Sequence, residues 1–258
     1  MPKLYVISDV HGHYGAMKKA LDEAGFDPEN ENHWLISCGD EFDRFNGNAK
    51  VLSYLRRLPR AIIIRGNHID LLEECCRRGY PLSHDLSNGT AETVCELGDM
   101  DEGYTFDECC DRTLSRIHLY TDKMLDYFET KSFVFTHGFL AVNCDDGLPA
   151  HYQRNRKFSK MENWREATPK QWSDARWLNG MQMVHDGFGI EKCVVVGHWH
   201  ASWGRAQFEG KSEFGPDADF SPYYYEDKLI AIDSCVAYSG KVNCLVIEDD
   251  FLEEPTNE

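Results

Sequence analysis

At 258 residues and 42% hydrophobic, the chain has ample material for a packed core, and no linker divides it, so one domain over 1–258 is expected. A formal net charge of −17, from 27 Lys+Arg against 44 Asp+Glu, excludes the basic stripe that stable nucleic-acid binding needs, and the longest apolar runs are far too short to span a membrane. No secretory segment precedes the first apolar run, which predicts a cytoplasmic protein whose ten cysteines, with no Cys-x-x-Cys among them, are reduced and buried.

In chain order, Leu4-Tyr5-Val6-Ile7 predicts a buried strand over 3–8. A helix follows over 14–24, with Met17, Ala20, Leu21 and Ala24 at helical spacing and Gly25 closing it. A second strand at 33–38, a helix at 48–58 ended by Pro59, and a third strand at 60–65 complete a β-α-β-α-β opening. Such an opening implies parallel strands with right-handed crossovers. A further helix runs through Leu71 and Leu72 to the Gly79-Tyr80-Pro81 stop, and a polar, helical insertion occupies about 80–130, broken at Asn88-Gly89-Thr90. Between Glu92 and Asp111 it holds eight acids and no Lys or Arg, which predicts a solvated face, with an acidic rim or partner surface as the sharper reading.

A strand at 132–136 leads to a second helical insertion at about 145–190, where Trp164, Trp172 and Trp177 are interspersed with Arg154, Arg156, Arg165 and Arg176. This insertion reads either as a lid or substrate wall, or as a cap that packs its own tryptophans. Strands at 193–197, 228–233 and 242–248 close the chain. The expected class is α/β, two sheets packed face to face with helices outside.

Polar clusters stand where five of these strands stop: Asp9-Val10-His11, Gly39-Asp40-Glu41-Phe42-Asp43-Arg44, Gly66-Asn67-His68, His137-Gly138 and Gly197-His198-Trp199-His200. Ligand sites in α/β proteins form at the carboxyl ends of strands. Taken singly, Asp40 reads as a helix cap, Asn67 as a turn residue and His137 as a satisfied core histidine. Five coincident ligand-type residues, spaced 31 residues from Asp9 to Asp40 and 27 from Asp40 to Asn67, point instead to a metal centre. A bridging carboxylate can hold two cations about 3.5–4 Å apart, the separation of two-metal hydrolases. Mixed imidazole, carboxylate and carboxamide donors suit Mn²⁺, Fe or Zn²⁺ better than Ca²⁺, and Mn²⁺ is the favoured reading.

The ordered set resembles the calcineurin-like metallophosphoesterases, and within them the phosphoprotein-phosphatase branch with its small bacterial and phage serine/threonine phosphatases and diadenosine tetraphosphatases. The resemblance runs from Ser8-Asp9-Val10-His11-Gly12 to the closing 231–241 segment. It implies a four-layer α/β/β/α fold and two divalent cations: Asp9 and His11 on the first, Asp40 bridging, and Asn67, His137 and His198 on the second. His200 creates the Gly-His-x-His form of the wider superfamily, which would add it to the first cation. The implied reaction is in-line attack on phosphorus by a metal-activated hydroxide, with Arg44 clamping the phosphoryl oxygens and His68, oriented by Asp43, protonating the leaving group. A second phosphate-binding arginine is expected, and Arg176 is the candidate. Two departures stand out: Ile69 where the family has Glu, with Asp70 following as a partial substitute, and Phe45 where it has Gly. The expected substrate is a phosphorylated protein, with a dinucleoside polyphosphate as the alternative, the tryptophans of 164–177 being available to stack on adenine. A nuclease and a non-catalytic metal module rank below both.

Overall fold

Alternation along the central strands sets the layers. In the computed structural model, which describes residues 1–144 and 157–252, strand β1 (Lys3–Ile7) turns Tyr5 and Ile7 to one side and Leu4 and Val6 to the other. It lies between β2 (His33–Ser37), parallel, and β11 (Leu245–Glu248), antiparallel, while β3 (Ala61–Ile63) extends the sheet beyond β2. The second sheet has β5 (Phe133–Thr136), β8 (Cys193–Val196) and β10 (Leu229–Ala231) parallel at its centre. Antiparallel β4 (Tyr127–Glu129) and β9 (Tyr223–Tyr225) form its edges.

Leu4, Val6, Ile36 and Ile64 of the first sheet meet Phe135, Val195, Ile230 and Ile232 of the second in one buried cluster. Outside the first sheet, Tyr5, Ile7 and Leu35 pack under α1 (Tyr14–Ala24), α2 (Asn48–Leu55) and α3 (Asn67–Arg78). Outside the second, Val134, Val194 and Leu229 pack under Trp172 and Met181. The result is the expected sandwich of two sheets flanked by helices.

Element bounds follow the sequence closely at first. Gly25 closes α1 in the left-handed region at φ 81°, its N–H reaching the Leu21 and Asp22 carbonyls. The helix expected over 48–58 ends at Leu55, and i→i−3 bonds over Arg57 and Leu58 replace its last turn. Pro59 causes this by disfavouring the helical region for the residue before it. The first insertion forms α4 (Ser83–Asn88), α5 (Thr90–Leu97) and α6 (Phe106–Thr121), but its end is the edge strand β4, which polar composition concealed.

Its acidic stretch is only partly solvated. Glu92, Asp101, Glu102, Asp107, Glu108 and Asp111 are exposed, whereas Asp99 holds Arg112 and Arg116 and Glu96 reaches the start of α2. In the second insertion Arg154 and Arg156 lie outside the described residues. What is described there comprises a two-residue ladder of β6 (Asn143–Cys144) with β7 (Phe158–Ser159), then α7 (Pro169–Ala175) and α8 (Gly180–His185). Helices α9 (Ala201–Phe208) and α10 (Val236–Ser239) complete the set. Trp164 and Trp172 are buried against Tyr127, at 4.9 and 5.2 Å between ring centroids, so the cap packs these tryptophans rather than offering them to a ligand. Among the described residues no helix is long and apolar enough to cross a membrane, and all ten cysteines are free thiols.

Phe135 is fully buried between the sheets. Phe135→Ala is expected to lower unfolding stability by about 3–5 kcal/mol in a urea titration, because the cavity opens where neither sheet can collapse onto it.

Candidate metal centre

The carboxyl ends of β1, β2, β3, β5 and β8 open onto one edge of the sandwich, and backbone bonds zip their loops together. Asp9 N–H donates to the Gly39 carbonyl at 3.0 Å, His11 N–H to the Asp40 carbonyl at 3.0 Å, and Gly197 N–H to the His137 carbonyl at 2.8 Å. Asp9, His11, Asp40, Asp43, Arg44 and His198 all have positive φ, between 46° and 73°. Asp9 and His11 are therefore not on an extended segment; left-handed turns, at about 1–3 kcal/mol each, aim both inward. Two glycines make room for the carboxylates. A Cβ on Gly66 would overlap Asp40 Oδ1, and one on Gly197 would overlap Asp9 Oδ2 and Ser8 Oγ.

Asp40 sits at the centre. Its Oδ1 accepts the His68 backbone N–H at 3.0 Å, and its Oδ2 lies 3.2 Å from His137 Nε2 and 3.9 Å from His68 Nε2. Its carboxylate belongs to both ligand-competent groups, His11–Asp40–His68 and Asp40–His137–His198, in which all donor atoms lie within 4.8 Å of one another. Asp9 Oδ1 is 3.8 Å from His11 Nε2, while Asp9 Oδ2 accepts from Ser8 Oγ and from the His198 N–H at 2.9 Å. Both inner imidazoles are steered by main-chain carbonyls: His11 Nδ1 donates to Phe42 at 2.8 Å and His137 Nδ1 to Cys38 at 2.7 Å, leaving each Nε2 to face the cluster.

His137 shows what the cluster is built to hold. With Nδ1 committed to a carbonyl, its Nε2 also faces acceptors, Asn67 Oδ1 at 2.8 Å and Asp40 Oδ2 at 3.2 Å. Both ring nitrogens must then carry protons. Burial opposes that charge, but Asp40 and Asp9 outweigh it and push the pKa up to about 9. One positive charge among Asp40 Oδ2, Asn67 Oδ1 and His137 Nε2 is a proton's worth of what a divalent cation supplies to the same three atoms. Burial and the neighbouring His137 push His198 down to about 3, and burial with His68 and Arg44 lowers His11, so both are neutral imidazoles, the form that binds metal. Asp9, Asp40 and Asp233 are all buried; burial pushes the carboxyl of Asp9 up and that of Asp233 well up, and divalent cations are the compensating charge that would let them ionise together.

Within the cluster, His68 Nδ1 lies 2.7 Å from Asp43 Oδ2, and its Nε2 stands 3.9 Å from Asp40 Oδ2 and 3.5 Å from Arg44 Nη2. Burial works against protonating His68, but Asp40 and the bond to Asp43 raise its pKa. Arg44 itself is exposed.

Two expected residues go elsewhere. The Arg176 guanidinium is buried and bound to Asp70 at 3.1 Å and Asp126 at 2.9 Å, and Asp70 in turn holds Arg65 at 2.7 Å. Neither Arg176 nor Asp70 joins the ligand groups; both belong to an ion-pair network that ties α7 to α3. His200 caps α9, its Nδ1 accepting from Trp203 N–H at 3.2 Å and lying 2.9 Å from Ser202 Oγ, while its Nε2 is 3.4 Å from Glu213. Of the tryptophans between 164 and 177, Trp177 reaches the site, edge-on to His198 at 5.9 Å. Phe45 is half-exposed and stacks on His13 at 4.1 Å. Asp233 was not singled out in the sequence. It follows β10 as Asp9 follows β1, and the rule of strand ends, applied once more, would have found it.

The fold and the cluster of ligand-type residues at its strand ends are those of a metal-dependent phosphoester hydrolase. Consistent with this, the sequence profile of the calcineurin-like phosphoesterases matches residues 2–218, and the chain belongs to that family. It is similar to the symmetrical bis(5'-nucleosyl)-tetraphosphatase of Serratia proteamaculans (strain 568), 40% identical over 65 residues, covering 25% of this chain and 22% of that protein. The corresponding enzyme of Hamiltonella defensa is 36% identical over 100 residues, 37% of this chain and 35% of its own length. The matches thus span about a third or less of these relatives. Among solved structures, a provisionally named diadenosine tetraphosphatase superposes with TM-score 0.52 at 15% identity, over 96% of this chain and 91% of that one. A serine/threonine phosphatase from Saccharomyces cerevisiae does so with TM-score 0.50 at 12% identity, over 98% and 81%. At these identities the likeness is one of fold.

Calorimetric titration of the metal-free protein with Mn²⁺ is expected to give two ions per chain, and Asp40→Asn at most one, because the shared carboxylate is lost. Each filled site should stabilise the fold by about 2.7 kcal/mol at a free-ion concentration 100 times its Kd, so added chelator should lower the melting temperature.

Proposed function

We propose that the chain hydrolyses phosphomonoesters of poor leaving groups, phosphoserine and phosphothreonine in proteins being the class that fits best. The carrying observation is the His68–Asp43 pair beside Arg44. The His68 imidazole is held by Asp43 at Nδ1, and its Nε2 lies between Asp40 Oδ2 at 3.9 Å and the exposed Arg44 at 3.5 Å, the position proposed for the leaving oxygen's proton donor.

In this reading Asp9, His11 and Asp40 would hold a first cation and Asp40, Asn67, His137 and His198 a second, with Mn²⁺ preferred for a mixed nitrogen and oxygen donor set. His200, whose Nδ1 caps α9 and whose Nε2 faces Glu213, falls in neither ligand-competent group and is left out of the ligands. Two divalent cations bound there would supply Lewis acidity and an activated water. The residues of the chain do the rest. Arg44 binds two phosphoryl oxygens with its planar fork and sets the ester in line for attack. As water oxygen joins phosphorus and gives up a proton to solvent, the electron pair of the ester P–O bond leaves with the alkoxide, which takes the Nε2 proton of His68; His68 regains a proton from solvent, and the products are an alcohol and inorganic phosphate. An alkoxide needs that proton, whereas a nitrophenolate or a nucleotide phosphate leaves without one.

A second reading, hydrolysis of dinucleoside polyphosphates, is supported by the tetraphosphatase relatives, which match this chain over 65 and 100 residues. The buried Trp164 and Trp172 remove most of the stacking surface that this reading drew on in the sequence.

His68→Asn, with metal content unchanged, is expected to lower kcat on a phosphoserine peptide about 10²–10⁴-fold while barely changing turnover of 4-nitrophenyl phosphate. Equal losses on both would remove the acid role. Diadenosine tetraphosphate turned over faster than the phosphopeptide by the wild-type protein would favour the second reading.

A further inference from the structure

The first insertion reaches into the catalytic loop. Thr90, Thr93 and Glu96 recur every three residues and share one face of α5. Thr90 Oγ1 donates to Asp43 Oδ2 at 2.7 Å and Thr93 Oγ1 to Asp43 Oδ1 at 2.7 Å. One turn on, the Glu96 carboxylate accepts the Asn48 and Ala49 N–H groups at 3.2 and 3.0 Å and the Asn48 amide at 2.8 Å. Asn48 Oδ1 accepts from the Asp43 N–H at 3.1 Å, and the Asn88 carbonyl accepts the Arg44 N–H at 3.1 Å. The loop that carries Asp43 and Arg44 is thus gripped along its length by residues 88–96.

Asp43, Thr90 and Thr93 are all fully buried. A buried carboxylate must find its hydrogen bonds inside the protein. Here one hydroxyl meets each oxygen, and His68 Nδ1 completes Oδ2 at 2.7 Å. The two hydroxyls fix the plane of the carboxylate, and that plane fixes the tautomer and heading of the imidazole: proton on Nδ1 toward Asp43, Nε2 toward the substrate. Without them Asp43 could rotate about its Cβ–Cγ bond, and His68 would lose its aim.

We propose that Thr90 and Thr93 are positioning residues for proton donation by His68, which makes the insertion a working part of the active site rather than a solvated appendage. The inference rests on the acid role of His68 proposed above.

Valine is the isostere of threonine, so T90V/T93V removes both donors and keeps the packing. It is expected to lower kcat on the phosphoserine peptide about 10–100-fold, the usual effect of deleting a residue that orients a site group. Turnover of 4-nitrophenyl phosphate and the Mn²⁺ stoichiometry should stay close to wild type, and T90S/T93S should recover the lost rate. Equal loss on both substrates, or no loss on either, would overturn the assignment. If the double variant does not fold, T90V and T93V separately decide the matter, each expected to show the same selective loss. Should H68N show the leaving-group selectivity and the valine variants not, only the threonine assignment fails. If H68N itself lacks it, both readings fail.

Discussion

The carboxylate of Asp40 is the constraint around which the rest of the molecule is arranged. It is 1% exposed, accepts a backbone N–H from one strand-end loop, and stands within reach of imidazoles from three others. An ionised carboxylate in such a place costs several kcal/mol unless compensating charge is brought to it. His137 lies against it, 3.2 Å from Asp40 Oδ2, and although burial lowers the pKa of His137, Asp40 and Asp9 raise it to about 9. The same need for positive charge makes the pocket a cation site and, through the cations, a site for anionic phosphate despite the acidic surface of the chain.

Holding the cluster requires backbone that most sequences avoid. Six of the residues that form it or flank it lie in the left-handed region. Their cost is met by the loop-to-loop hydrogen bonds that continue the parallel ladders past the strand ends, and by glycines at 66 and 197 where two carboxylates would otherwise collide with a side chain. Strain of this kind persists only where the surroundings over-determine it. Here the surroundings include the insertions: α5 grips the Asp43–Arg44 loop, and the Arg65–Asp70–Arg176–Asp126 network fastens α7 beside the start of α3.

What could be read in advance divides along physical lines. The strands of the sandwich announce themselves as short apolar runs, and the clusters that follow them were legible because parallel strands deliver their carboxyl ends to one edge. Asp9, His11, Asp40, Asn67, His68, His137 and His198 were found in this way, and the structure brings them together. The settings of Arg176 and His200 could not be read from sequence, and the structure puts the first in an ion-pair network and the second at a helix cap. The tryptophans of the second insertion had two readings, and only contact with Tyr127 chose between them. Thr90 and Thr93 gave no signal at all, because a threonine at the start of a helix is ordinary until its hydroxyl is seen to meet a buried acid.

The sequence by itself determined the order and type of the central elements, the strand ends at which chemistry gathers, and the ligand types available there, because each of these depends on local periodicity and on short spacing along the chain. Only the tertiary structure decided which ligand-type side chains lie within reach of one another, which arginine is exposed beside them and which is tied into ion pairs, and what holds Asp43. Those are questions of distances across loops dozens of residues apart, and they are settled by burial and hydrogen-bond satisfaction, which no stretch of sequence contains on its own.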